Sequence, residues 1–260
     1  MVGDIRPGFI LGLDLHGTLL EPGEVLRPEL APRVADGLRK LRGRALRWLC
    51  TGNDLEFVRR KVPPVIMTEI DGCVLETGCS HSDNGRKEVV DTTDAERAVI
   101  AALETLLRRA GFREINYFAH RLTSISMFCD RPKEFFRVVE GFVRGTEFAD
   151  RVHVTWSSVA VDILPAGYDK HRGLVRAAAG RKTIGVADSM NDLALLSRSD
   201  FPLAPANLAP ELFPHLAAAG RALIPCSSAP ALTPASVTIA SQPETEGVIE
   251  LLDWLHRVIA

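Results

Sequence analysis

The first ninety residues alternate between short apolar runs and amphipathic stretches. "FILGLDL" (9–15) is nearly continuous in apolar residues, the pattern of a strand buried on both faces. In "RPELAPRVADGLRKLRG" (27–43), Leu30, Val34, Leu38 and Leu41 recur at helical spacing, and Gly43 closes the pattern. "ALRWLCTG" predicts a second strand, "NDLEFVRRKV" a helix and "PVIMTEIDG" a third strand. Strands alternating with helices in this way predict a parallel sheet with crossover connections.

The middle of the chain has a different rhythm. Asn84-Gly85 marks a hairpin turn. A helix is predicted over 94–110, then strands at "REINYFAH" and "SISMFCD", a helix over 132–144, and strands at "RVHVTWSS" and "VAVDILP". Helix–strand–strand, stated twice, is an α+β pattern with antiparallel pairing. It predicts a module inserted at 91–166 between two parts of one core, 1–90 and 167–260. The first rhythm returns in "DKHRGLVRAAAG", "KTIGVAD", "SMNDLALLSRS" and "FPLAPA", and "SVTIAS" and "GVIELLDWLHRVI" add a last strand and helix. The Pro-, Ala- and Ser-rich stretch 202–236 is the nearest approach to low complexity. The inserted module is expected over the carboxyl edge of the sheet, where open α/β sheets bind ligands.

Composition narrows the partners. A formal net charge of −2 gives no global pull toward nucleic acid or an anionic membrane. Arg59-Arg60-Lys61 and Arg108-Arg109 fall within helical patterns and read as solvated faces. No apolar run approaches the ~18 residues of a membrane span, and the N-terminus lacks the shape of a signal peptide. Five cysteines, odd in number and without zinc spacing, read as buried thiols in a reducing cytoplasm.

Candidate chemistry falls at strand ends and helix starts. Asp14 ends the first strand, Thr51-Gly52 ends the second, and Lys170 opens the helix after the insert. Asp188 and Asp192 flank the end of the following strand in "ADSMND". Each segment alone is weak, since an Asp there is usually a loop residue or a helix cap. Together they form a kit. Three carboxylates can hold Mg²⁺, one of them can attack phosphorus, and a hydroxyl and an ammonium can neutralise phosphoryl oxygens.

"DLHGTLL", "CTGND", "DKHRGL" and "GVADSMND" resemble, in order, the four motifs of the haloacid dehalogenase superfamily. The details are similar to its Cof-like branch, which includes sucrose-phosphate phosphatases, with a large αββαββ cap. "IDG" at 70–72 resembles the Asn-Gly that often follows that branch's third strand. "VDILPAGYDKHRGL" resembles its cap exit, and "EGVIELLDWL" its last helix. The resemblance covers nearly the whole chain, and the first and fourth motifs are its most specific parts. It implies an α/β fold: a Rossmann-like parallel-sheet core with an inserted α+β cap. It implies a phosphatase in which Asp14 forms an aspartyl-phosphate. Asp14, the backbone carbonyl of His16, Asp188 and Asp192 would hold Mg²⁺. Thr51, Gly52 and Lys170 would bind phosphate, and Thr18 and Asn191 would support the loops. The implied partner is a small soluble phosphate ester, such as a sugar or polyol phosphate.

The pattern departs from the family at Ala187, usually Gly, at Asn53, often Arg, and at His16. His16 stands where the family's phosphatases carry an Asp acid/base. Imidazole can do that work. The other readings are a slowly hydrolysing aspartyl-phosphate, as in a phosphotransferase or mutase, and a site that binds phosphate ligands without turnover. A dehalogenase needs no Mg²⁺ and leaves "ADSMND" without a purpose. His120, Arg121, Ser124, Ser126, Arg131 and Trp156 are the cap residues considered for reading the leaving group, Arg121 first.

Overall fold

The computed structural model describes residues 7–259. Its strands are β1 (Phe9–Asp14), β2 (Ala45–Cys50), β3 (Gly72–Leu75), β4 (Ser80–Asp83), β5 (Val89–Val90), β6 (Tyr117–Ala119), β7 (Ile125–Phe128), β8 (Val152–Trp156), β9 (Ala160–Pro165), β10 (Lys182–Val186), β11 (Phe201–Ala204), β12 (Ala222–Pro225) and β13 (Ser236–Ile239). The helices are α1 (Ala31–Lys40), α2 (Leu55–Lys61), α3 (Pro64–Met67), α4 (Asp94–Ala110), α5 (Pro132–Arg144), α6 (Lys170–Ala178), α7 (Leu193–Arg198), α8 (Phe213–Ala218) and α9 (Glu244–Val258).

The larger sheet runs β12-β13-β11-β10-β1-β2-β3-β4-β5. Pairing is parallel from β12 to β3 and antiparallel through β4 and β5. β1 lies between β2 and β10, which explains its unbroken apolar run. Leu19, Val34, Leu38 and Leu252 pack on one face of the sheet. Leu174, Leu195 and Leu216 pack on the other. From β1 the chain winds outward through β2 and β3, then returns to β10 on β1's other side. The carboxyl ends of β1 and β10 therefore meet at the switch point, Leu13 beside Val186.

The smaller sheet, β6-β7-β9-β8, is antiparallel. One face is covered by α4 and α5, through Val99, Leu103, Phe135 and Val139 against Ile125, Met127, Val161 and Ile163. A reciprocal Thr93–Glu96 capping box starts α4, and left-handed Gly111 ends it. Alternation along the strands sends Ser126 and Asp162 to the opposite, uncovered face.

Three expectations change. "PVIMTEIDG" is not the third strand. Pro64 occupies the first turn of α3, where its fixed φ is pre-organised for helix, and the strand begins only at Gly72. A short apolar run cannot separate helix from strand by period alone. "IDG" accordingly leads into β3, with Gly72 its first residue, and the turn that follows the strand is Glu76–Gly78. The stretch 202–236 contains α8 and β12. β12 is a largely exposed edge strand, so it carries no apolar alternation. "SMNDLALLSRS" is divided into a 3₁₀ turn, Met190–Asp192, and the short α7. Among the described residues, no helix is long and apolar enough to cross a membrane.

Candidate active site

Asp14 ends β1 almost fully buried. The chain then doubles back tightly, with Leu20 N donating to Leu15 O at 2.6 Å and Gly17 N to Leu20 O at 2.9 Å. Gly17 has φ +74°, and a Cβ there would stand 2.3 Å from Asp188 Oδ2. Glycine is required on both counts. Thr18 Oγ1 donates to Asp188 Oδ1 at 2.9 Å, tying the first motif to the fourth.

Asp188 lies just beyond β10, and Asp192 lies in the 3₁₀ turn that follows. Lys170, the first residue of α6 and 1% exposed, donates to Asp14 Oδ1 at 2.6 Å and to Asp192 Oδ1 at 2.5 Å. Burial opposes its charge, but the two carboxylates outweigh burial and keep it protonated. Asp14, Asp188 and Asp192 offer oxygens within 4.8 Å of one another. Burial, reinforced by repulsion from its neighbours, pushes the Asp188 carboxyl up to about 8 and that of Asp192 to about 6. Three buried carboxylates against one ammonium leave an excess of negative charge. Clustered hard oxygen donors with that excess fit a Mg²⁺ ion. Ser189 Oγ holds the loop, donating within reach of Asn191 Oδ1 (2.8 Å) and Asp192 Oδ2 (3.0 Å).

Thr51 is fully buried at the end of β2. Its hydroxyl oxygen accepts from the Asn53 backbone N–H (3.1 Å) and from Asn53 Nδ2 (3.2 Å). Asn53 Oδ1 in turn accepts from Arg121 Nη2 at 2.7 Å, which fixes the amide's orientation. Asn53 Nδ2 is thus a donor, 3.4 Å from His16 Nδ1. Burial lowers the His16 pKa, against the pull of Glu24, so the ring is neutral near pH 7. The accepting nitrogen is then Nδ1, and the proton sits on Nε2, 3.6 Å from Glu24 Oε1. The ring also packs on Phe57, with centroids 5.3 Å apart.

Asp14, His16, Gly52, Asn53, Lys170, Ser189 and Asn191 line one cleft from the larger sheet's side. Arg121, Ser126 and Asp162 line it from the smaller sheet's side. Arg121 is 7% exposed, and its Nε has no hydrogen-bond partner among the described residues. The turn that carries it is anchored by Glu76, whose fully buried carboxylate accepts from Leu122 N (2.7 Å), Thr123 N (2.8 Å), Thr123 Oγ1 and Ser124 Oγ (3.2 Å). The other cap residues divide. Ser126 lines the cleft, Ser124 is spent on Glu76, and His120 is exposed outside the lining. Trp156 packs with the helix-covered core of the smaller sheet, and Arg131 lines a separate hollow beside Asn116 and Glu134.

Sequence reading missed Glu76, Asp162 and Asn207. Asn207 Nδ2 donates to Gly17 O at 2.7 Å and lies 3.4 Å from Asp188 Oδ2. It stands three residues beyond β11, so the strand-end logic that picked out Asp188 also applies to it. Asp162 was legible as the polar member of an alternating strand, "VAVDILP".

No family model and no curated protein sequence matches the chain. Solved structures do. A sucrose-phosphatase from Synechocystis sp. PCC6803, in complex with sucrose and phosphate, matches with TM-score 0.71 and 18% identity over 95% of this chain and 97% of that one. The chain has the fold of the haloacid dehalogenase-like hydrolases. A haloacid dehalogenase-like hydrolase from B. subtilis matches with TM-score 0.63 and 17% identity, over 94% of this chain and 98% of that one. A trehalose-6-phosphate phosphatase related protein gives TM-score 0.59 and 14% identity, over 95% and 97%.

Proposed function

We propose that the chain is a Mg²⁺-dependent phosphomonoester hydrolase acting on a small phosphorylated metabolite. Residues 1–90 and 167–260 would form its catalytic core and 91–166 its cap. The observation that carries the reading is Lys170 bridging Asp14 and Asp192 beside Asp188, at the switch point of the sheet. A phosphatase needs this charge arrangement: a nucleophilic carboxylate, a cation to gather phosphoryl oxygens, and further carboxylates to hold a metal. The similar sucrose-phosphatase and trehalose-phosphate phosphatase related structures support the same substrate chemistry.

In this reading Asp14, Asp188, Asp192 and the His16 carbonyl hold the metal, which when bound would offset charge on the transferring phosphoryl group. Lys170 keeps Asp14 oriented, with Oδ1 in its hydrogen bond. Gly52, Asn53 and Arg121 face the phosphoryl oxygens, with the Thr51 hydroxyl beneath them. Asp14 attacks phosphorus, the ester P–O bond breaks, and the leaving oxygen takes a proton from His16, whose resting neutral ring must first take up a proton to become the imidazolium, a form that Glu24 favours and burial opposes. Water then attacks the aspartyl-phosphate, the bond to Asp14 breaks, and the neutral imidazole takes the water's proton. His16 is held by Asn53 and Phe57, which favours a defined role over a filler.

A second reading has one observation behind it. Nδ1 faces Asn53 at 3.4 Å, and Nε2 is buried 3.6 Å from Glu24 Oε1 without a hydrogen-bond partner among the described residues, so both ring nitrogens are turned to the protein in this arrangement. A phosphate-ligand binder or a phosphotransferase with slow hydrolysis would result if the ring stays so engaged. Phosphate release from a sugar-phosphate panel with Mg²⁺, from pH 5 to 9, separates the readings. Release above an Asp14→Asn control is expected. No release above that control across the panel would sink the hydrolase.

A further inference from the structure

We propose that Glu24 is the positioning residue for proton transfer by His16: it holds the Nε2 side of the ring, so that Nδ1 is the nitrogen that serves the leaving oxygen. This role rests on the phosphatase reading, to which it adds a residue and the choice of ring nitrogen.

Glu24 sits in a tight turn between β1 and α1. Glu21 N donates to Val25 O at 2.7 Å, and Glu24 N to Glu21 O at 3.1 Å. Gly23 and Glu24 have φ of +80° and +60°. That conformation is natural for Gly23 and unfavourable for a residue with a Cβ. Such an outlier directs attention to the side chain it presents.

That side chain is aimed from both ends. Glu24 Oε2 lies 2.8 Å from Lys61 Nζ, and Oε1 lies 3.6 Å from His16 Nε2. Phe57 packs on the same ring. Phe57 and Lys61 are four residues apart in α2, so one face of that helix presents both. Lys61 thus fixes one carboxylate oxygen and leaves the other turned to the ring. Nε2 is buried and has no hydrogen-bond partner among the described residues. A buried N–H is expected to have one, and Oε1 stands about 0.4 Å beyond hydrogen-bond range of it.

The two ring nitrogens differ in what they can meet. Nε2 is enclosed, while Nδ1 faces Asn53, which lines the cleft with Asp14 and His16. The contact to Asn53 Nδ2 is long, 3.4 Å, and that amide has a second acceptor in Thr51 Oγ1 at 3.2 Å. A ligand oxygen can therefore displace Asn53 from Nδ1 without orphaning the amide. A carboxylate at this position would offer two equivalent oxygens; an imidazole has two distinct nitrogens, and one must be chosen. A carboxylate on one ring nitrogen makes that choice by fixing tautomer and orientation. With Glu24 on Nε2–H, the leaving oxygen takes its proton from Nδ1, and Nδ1 later takes one from the attacking water. The Nε2 proton stays in place throughout, so the cycle closes.

The test compares kcat/KM for wild type, Glu24→Ala, His16→Ala and the double variant, each shown to be folded by thermal melting, with Mg²⁺ present. The substrates are glucose 6-phosphate and p-nitrophenyl phosphate. Glu24→Ala should lower kcat/KM at least about tenfold on glucose 6-phosphate and less than about threefold on p-nitrophenyl phosphate, whose leaving group needs no proton. Added to His16→Ala, it should cost less than about twofold more, because the ring it positions is gone. No loss in Glu24→Ala, equal losses on both substrates, or the same loss with and without the ring would overturn the role. Where wild type does not hydrolyse glucose 6-phosphate, ¹⁵N NMR of the imidazole at pH 8 decides. The His16 signals, assigned by their absence in His16→Ala, should show the Nε2–H tautomer in wild type and a mixture of tautomers in Glu24→Ala. An Nδ1–H tautomer in wild type, or unchanged signals in Glu24→Ala, would refute the role. No hydrolysis of either substrate counts against the phosphatase reading, which the NMR result does not depend on.

Discussion

In the proposed hydrolase, His16 is the residue on which turnover would depend. Its ring is neutral by burial and oriented by Asn53, whose own amide is fixed by Arg121. An acid that protonates a leaving oxygen matters most when that oxygen is strongly basic. His16→Ala should therefore slow hydrolysis of an alkyl phosphate by about 10²–10⁴-fold, the usual worth of general acid/base action. It should slow p-nitrophenyl phosphate far less, because that leaving group needs no proton. Equal slowing of both would mean that His16 only shapes the turn. Asp188 gives a second residue-scale prediction. Its carboxylate is held near Asp14 and Asp192 without a cation of its own. In metal-free protein, Asp188→Asn should raise Tm by several degrees and abolish stabilisation by Mg²⁺. An unchanged Mg²⁺ response would remove Asp188 from the metal set.

At the scale of elements, the turn after β3 joins the two sheets. Glu76, Thr77 and Gly78 have φ of 42°, 54° and 93°, an unfavourable run for two residues with side chains. That run places the Glu76 carboxylate under the 122–124 backbone. Glu76→Ala should cost about 1–3 kcal/mol by orphaning buried donors. It should also speed hydrogen exchange at Leu122 and Thr123 at least about tenfold, and raise KM through the displaced Arg121. Unchanged exchange at those amides would show that the turn is held by other contacts. The same elements show what the sequence discloses. α4, α5 and β1 were readable because caps, Pro at a first helical turn and buried apolar runs are local signals. β3 was misplaced because Pro64 turned an apolar run into helix. Glu76 was hidden because its partners lie more than forty residues away. The Asp14, Lys170, Asp188 and Asp192 constellation was legible from strand-end position and order. The orientation of His16 was not, since it depends on Asn53, Phe57 and Glu24 arriving from other segments.

At the scale of the whole molecule, the buried carboxylate cluster couples stability to pH. Between β1 and β10, Asp188 titrates near 8 and Asp192 near 6, both above their unfolded values. A raised folded pKa means that the folded state binds the proton more tightly. That contribution to stability is complete below the unfolded value near 3.8 and is lost as pH rises through about 6 and then about 8. Metal-free protein should therefore melt at lower temperature at pH 8 than at pH 5.5, and Mg²⁺ should erase most of the difference. A Tm that does not fall with pH in the metal-free protein, or a fall that Mg²⁺ leaves in place, would contradict this charge balance.

The central claim is that Asp14 is the nucleophile. Rapid acid quench of the protein mixed with ³²P-labelled glucose 6-phosphate and Mg²⁺, followed by peptide mapping, tests it most directly. The account predicts label on the peptide containing Asp14, absent in Asp14→Asn and absent when Mg²⁺ is chelated. Phosphate release without label on that peptide at any quench time, or label that persists in Asp14→Asn, would contradict it.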